Sequence, residues 1–142
     1  MEAKAMNNIH EDKQQLQSII QSIGNAVVPI LPDAWSKVVV GYFIAGKDQF
    51  PHLQLHAITD FSDDYTDLME QAWDLDEMDG AITEIQRLCE KMRRLCMKAN
   101  DCWTMMTFCL QADGSFNIDY GYEPIEEYNT DYILTWQSQY LD

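Results

Sequence analysis

Residues 103–122 read WTMMTFCLQADGSFNIDYGY, and this stretch decides the fold. Two apolar runs flank Asp113-Gly114, a pair that tolerates the positive φ angles a hairpin turn requires. The second run alternates: Phe116, Ile118, Tyr120 and Tyr122 fall on one face, Asn117, Asp119 and Gly121 on the other. A period of two is the mark of a half-buried strand. A lone hairpin is marginal in water, so further strands or helices must cover its apolar face. Phe116 is expected in the core on this reading.

Working outward, the remainder of the chain supplies that cover. Ile9, Leu16, Ile19, Ile20, Ile23 and Val27 recur at helical spacing, which predicts an amphipathic helix over 8–27, capped by Asn7 or Asn8 and ended by Pro29 and Pro32. Residues 1–7 are expected to fray. The β-branched and aromatic run WSKVVVGYFIA predicts a strand over 35–45, and HLQLHAIT a second over 52–59, joined through Gly46-Lys47-Asp48. A short helix is expected from Ser62-Asp63-Asp64 to Trp73. Ile82, Ile85, Leu88, Cys89, Met92, Leu95 and Cys96 form one stripe, predicting a helix over 81–99. Tyr132, Ile133, Trp136 and Tyr140 predict a last helix over 129–140, with Thr130 as its cap and Trp136 in the core. The expected fold is α+β in the order α-β-β-α-α-β-β-α. Two hairpins make a four-stranded antiparallel sheet, and the helices pack on one face of it. At 142 residues, with no repeat or linker, the chain is expected to form a single domain over 1–142.

The charge narrows the choice of partner. Asp and Glu number 24 against nine Lys and Arg, a formal net charge of −15. Such a chain is repelled by nucleic acid and anionic membranes and favours basic partners. Cys89, Cys96, Cys102 and Cys109 form no C-x-x-C pair, which fits reduced thiols better than a disulfide framework. No apolar signal segment or membrane-length run is evident, so a cytoplasmic protein is expected.

Local motifs for chemistry are weak. Counting an EF-hand loop from Asp74 puts Met78 at position 5 and Ile85 at position 12, where oxygen ligands are needed, so the calcium register fails. His52 and His56 share a strand face but have no third metal ligand nearby. There is no G-x-S-x-G nucleophile and no glycine-rich phosphate loop, and no cofactor is implied. Asp119 and Glu123 form a possible carboxylate pair, although strand acids are more often plain solvent-facing groups.

Acid interleaved with aromatic is the remaining signal. Between Asp60 and Asp79 there are nine carboxylates and no Lys or Arg, together with Phe61, Tyr65 and Trp73. Five of the nine basic residues follow in the next helix, as Arg87, Lys91, Arg93, Arg94 and Lys98. A second such stretch runs from Asp119 to Asp131. Carboxylates steer a basic partner and aromatics anchor it. The plainer reading makes these aromatics core residues and the acids their solvated surroundings.

The C-terminal third also carries a resemblance. The pattern W-T-x-x-T-x-x-L-x-x-D-G-x-F-N-I-D-Y-G-Y-E from Trp103 to Glu123 precedes a final W-x-x-x-Y-L at Trp136, Tyr140 and Leu141. Together with Pro32-Asp33-Ala34-Trp35 after an N-terminal helix, it resembles the YezG-like family of bacterial immunity proteins. The resemblance implies a cytosolic antitoxin without enzymatic activity, encoded beside a secreted polymorphic toxin. Its partner would be the toxin's C-terminal domain, a basic nuclease in many such systems, delivered by a contact-dependent or type VII route.

The expected toxin-binding surface has two patches. One comprises Asp63, Asp64, Asp67, Glu70, Asp74, Asp76 and Glu77, with Tyr65 and Trp73 as anchors. The other comprises Asp119, Glu123, Glu126 and Glu127. The alternative from another class is a small cytosolic metal-dependent hydrolase using His56, Asp119 and Glu123.

Overall fold

The computed structural model describes residues 2–46, 50–71, 76–126 and 131–141, the side chains of 2–12, Phe50, Gln71, Asp76 and Glu77 excepted. Helix α1 (Glu2–Val27) leads through a 3-10 turn, Val28–Ile30, into strands β1 (Trp35–Ala45) and β2 (Phe50–Thr59). A two-residue strand β3 (Thr66–Asp67), a single turn α2 (Leu68–Gln71) and helix α3 (Asp76–Lys98) follow. Strands β4 (Met105–Gln111) and β5 (Phe116–Gly121) precede helix α4 (Asp131–Tyr140). The sheet is antiparallel with five strands in the order β3-β2-β1-β4-β5.

The α+β class stands as expected, but the sheet has five strands rather than four. The extra strand comes from the acidic block, where a helix from Ser62 to Trp73 was expected. Thr66 and Asp67 instead pair with Ala57 and His56. The Asp67 carboxylate then accepts the N–H groups of Met69 at 2.9 Å and Glu70 at 3.3 Å, which starts α2. Helical spacing was read through a segment whose carboxylates compete for its own backbone.

Helices cover both faces of the sheet, not one. Val38, Val40, Tyr42 and Ile44 of β1 and Leu53, Leu55 and Ala57 of β2 pack under α1 and α3, whose Ile19, Ile23, Val27, Ile85, Leu88 and Met92 are buried with them. Val39 and Phe43 face the other way and bury against Trp136 of α4. Strand β1 is central and covered twice, so it reads as a continuous apolar run without alternation. Gly41 lies in the middle of it. A Cβ there would come 2.6 Å from Cζ2 of Trp136, so only glycine lets the indole sit flat on the strand.

Two helix boundaries differ from the sequence reading. Helix α1 begins at Glu2, before the capping asparagines, and α3 begins at Asp76, carrying Gly80 inside it. The end of α3 is a Schellman motif. Asp101 N–H donates to the Cys96 carbonyl at 2.9 Å and Asn100 N–H to that of Met97 at 3.0 Å, with Asn100 at φ 63°. The motif turns the chain back so that Trp103 enters the core, packing edge-on to Tyr42 at 6.2 Å and beside Tyr120 at 5.8 Å. The expected cap Thr130 lies outside the described residues.

The hairpin that opens the sequence reading forms with its faces as expected, but its turn is longer. Gln111 N–H donates to the Ser115 carbonyl at 2.8 Å, and Gly114, at φ 92°, closes back on Gln111. The loop is therefore Ala112–Gly114, with the Asp113 carboxylate accepting Ser115 N–H at 2.8 Å. The Ser115 hydroxyl, donating to the same oxygen at 2.6 Å, and then that N–H hold the Asp113 carboxyl below its ordinary range. Ile118 and Tyr120 pack against the core, but Phe116 and Tyr122 do not, each being 57% exposed. Alternation assigns a face but not how far along a strand the covering helix reaches. Phe116 lies at the rim beyond that cover, touching only the edge of the core through Phe108 at 5.8 Å.

Candidate functional site

Beyond β2 the chain crosses the edge of the sheet as a loop of exposed residues, Asp60–Asp64. The Ser62 hydroxyl accepts Asp64 N–H at 3.1 Å, a local turn that leaves the carboxylates of Asp63 and Asp64 directed to solvent. Phe61 is 89% exposed among them. Tyr65 turns inward and packs on the Val39–Phe43–Trp136 cluster.

Helix α4 lies across the same face. Between it and the β2–β3 connection runs an open cleft of about 640 Å³. Asp64, Tyr65, Asp67 and His56 form one wall; Leu134, Gln137, Ser138 and Leu141 form the other. Leu134 is 63% exposed. Neither wall carries a Lys or Arg. The cleft thus joins carboxylates to a helix face that exposes Leu134 beside Gln137 and Ser138, an arrangement suited to a cationic protein surface rather than to a small anion.

Of the wall residues, His56 is held by a polar chain running along β2. His56 Nε2–H donates to Gln54 Oε1 at 2.7 Å, and Gln54 Nε2–H donates to His52 Nε2 at 2.7 Å. Burial pushes both imidazoles below their ordinary pKa of 6.5, and the Asp67 carboxylate opposes the shift in each case. His52 lies tilted against Phe43 at 6.1 Å and His56 against Trp136 at 5.8 Å, so both imidazoles are part of the packing that seats α4.

The structure locates most of the residues singled out from sequence. Asp63, Asp64 and Glu70 are exposed, and Asp67 and Tyr65 are half-buried. Asp67 faces the cleft but also caps α2. Trp73, Asp74 and Glu127 lie outside the described residues; Asp76 and Glu77 lie in the first turn of α3, their side chains undescribed. In the second patch Asp119 accepts the Tyr140 hydroxyl at 3.0 Å, while Glu123 and Glu126 are exposed. Asp67 on β3 and Asp119 on β5 project from opposite edges of the sheet on the one face that α4 covers, so the patches flank one helix. Phe61 and Leu134 were not picked out as anchors from sequence. Phe61 stood in the acidic block as one aromatic among several, and Leu134 lay outside the set Tyr132, Ile133, Trp136 and Tyr140 whose spacing marked the last helix.

The residues of the hydrolase alternative do not converge. His56 on β2 and Asp119 on β5 are separated by β1 and β4, with Trp136 and Tyr140 lying between them. Glu123 follows the end of β5, where its carbonyl accepts the Thr104 hydroxyl. Among the described residues no three His, Cys, Asp or Glu side chains gather as a metal site. Within α3 the Arg87 guanidinium pairs with the Glu84 carboxylate one turn before it. No helix among the described residues is long and apolar enough to cross a membrane.

Comparison with known families matches residues 16–142 to the immunity protein YezG-like family, and the chain belongs to that family. Comparison with curated proteins gives no match.

Proposed function

We propose that this member of the YezG-like immunity proteins neutralises a secreted bacterial toxin by stoichiometric binding in the cytoplasm, acting as one domain and without catalysis of its own. The partner is the toxin's C-terminal domain, and a basic nuclease delivered by a contact-dependent or type VII system fits the charge. A nuclease gripping phosphates presents Lys and Arg, and a chain of net charge −15 competes for that surface. The observation that carries the reading is the cleft between the β2–β3 connection and α4, with Asp64 and Asp67 on one wall and exposed Leu134 on the other. The contact face extends from it over Asp63, Glu70 and Phe61, and on the far side of α4 to Asp119, Glu123 and Glu126. Carboxylates there steer the encounter, and Phe61 and Leu134 anchor it. An interface of roughly 1,600 Å² covers such a face and blocks the toxin's substrate groove.

Co-expression with the C-terminal domain of the toxin encoded alongside tests the proposal, the expected result being rescued growth and an equimolar complex. The Asp63→Lys/Asp64→Lys/Glu70→Lys variant should associate more slowly and with a flatter salt dependence. Phe61→Ala and Leu134→Ala should mainly speed dissociation. Failure of the wild-type chain to rescue growth overturns the function; unchanged kinetics in all these variants moves the interface elsewhere.

A further inference from the structure

We propose that β5 is the interface of a symmetric dimer of this chain, pairing antiparallel with β5 of a second copy about Ile118. Strand β5 ends the sheet, and its six residues pair with β4 alone among the described residues. Exposed edges are ordinarily blunted by Lys, Pro, a bulge or great shortness. The opposite edge, β3, is two residues long. By contrast β5 holds no Lys, Arg or Pro, its one charge, Asp119, accepts the Tyr140 hydroxyl and the Asn117 amide of its own chain, and its register with β4 runs unbroken from Met105–Gly121 to Leu110–Phe116. Phe116, 57% exposed, stands at its end.

The strand's own sequence selects a second copy as the occupant. In an antiparallel pair opposed residues share a face, so the two-fold axis must pass through a residue position. An axis at Asp119 opposes the two Asp119 carboxylates and is disfavoured. An axis at Ile118 opposes Ile118 to its equivalent, Phe116 to Tyr120, and Asn117 to Asp119. The Ile118 pair lies on the axis, the other two contacts each occur twice, and none sets like charges together. The amide of Asn117 already donates to its own chain's Asp119 at 3.3 Å, so this carboxylate accepts an amide at that depth of the face. Two five-stranded sheets then become one continuous sheet. Six residues of edge contact fall short of the roughly 1,600 Å² of a standard interface, so the dimer is weak and concentration-dependent. Each copy carries −15, so screening by salt strengthens the pairing, opposite in sign to the salt dependence of a basic toxin's binding. The dimer does not rest on the toxin-binding reading.

Sedimentation velocity on the full chain, over a wide concentration range at low and high salt, tests the proposal. The expected result is a monomer–dimer equilibrium that tightens with salt. Asn117→Asp sets two carboxylates opposite each other at both symmetry-related contacts and should weaken the dimer about tenfold. Asn117→Lys should tighten it. Thr83→Asp, on the exposed side of α3, adds the same charge away from β5 and should change little. Circular dichroism reports whether each variant folds; if Asn117→Asp does not, Asn117→Lys decides. A monomer at every concentration and salt overturns the proposal, as does a dimer indifferent to the charge at position 117.

Discussion

The indole N–H of Trp136 donates to the hydroxyl of Thr107 at 2.8 Å, both residues buried. This single bond ties α4 to the centre of the sheet and fixes which side of the helix faces the cleft. Around it Phe43 meets the indole edge-on at 5.4 Å and Tyr140 lies tilted against it at 5.7 Å. Trp136→Ala should cost about 3–5 kcal/mol by cavity formation. Thr107→Val, which keeps the shape but leaves the N–H unpaired, should cost about 1–3 kcal/mol. Gly41→Ala drives a methyl into the indole and should cost about 1–3 kcal/mol or more. Urea denaturation measures all three.

Phe116→Ala should be nearly neutral, within about 0.5 kcal/mol, because the ring is mostly in solvent. A thermal melt comparing it with Trp136→Ala separates rim from core. A large loss at Phe116 would contradict the exposure described above.

Asp67 should behave differently from its acidic neighbours. Asp67→Ala removes the acceptor of Met69 and Glu70 N–H and should destabilise by about 1 kcal/mol. Asp63→Lys and Asp64→Lys touch no such bond through their side chains and should leave the melting temperature close to wild type. The comparison shows which acids can be reversed in a binding test without disturbing the fold.

The histidine pair should make stability depend on pH. Both imidazoles titrate below 6.5 in the folded chain, so below 6.5 the unfolded chain binds more protons. Their contribution is complete above 6.5 and is lost as pH falls from there through the folded values. The cause is structural as well as dielectric. Protonating His52 aims an N–H at the amide nitrogen of Gln54, and flipping that amide takes the acceptor away from His56. Denaturant midpoints measured on either side of pH 6.5 should show the fall, and His52→Gln/His56→Gln should flatten it.

Much of this was legible in the sequence. Apolar period located α1, α4, β5 and the buried stripe of α3, because burial demands those residues at those spacings whatever the topology; β1 was legible from its β-branched and aromatic composition, and β3 from neither. Charge density alone marked the segment after β2 as acidic, and its residues Asp60–Asp64 are exposed. Pattern along the chain carries no information about what lies across it, however, and the tertiary structure decided the rest. The run Val38–Ala45 is equally consistent with cover on one face or two; only the docking of Trp136 over Gly41 places α4 opposite α1 and α3. The acids of the block look alike in sequence, yet one of them, Asp67, is drawn into the sheet edge and a helix cap. Phe116 and Ile118 obey the same alternation, but the covering helices reach only the second. Depth is set by where another element ends, and that is a property of packing, not of period.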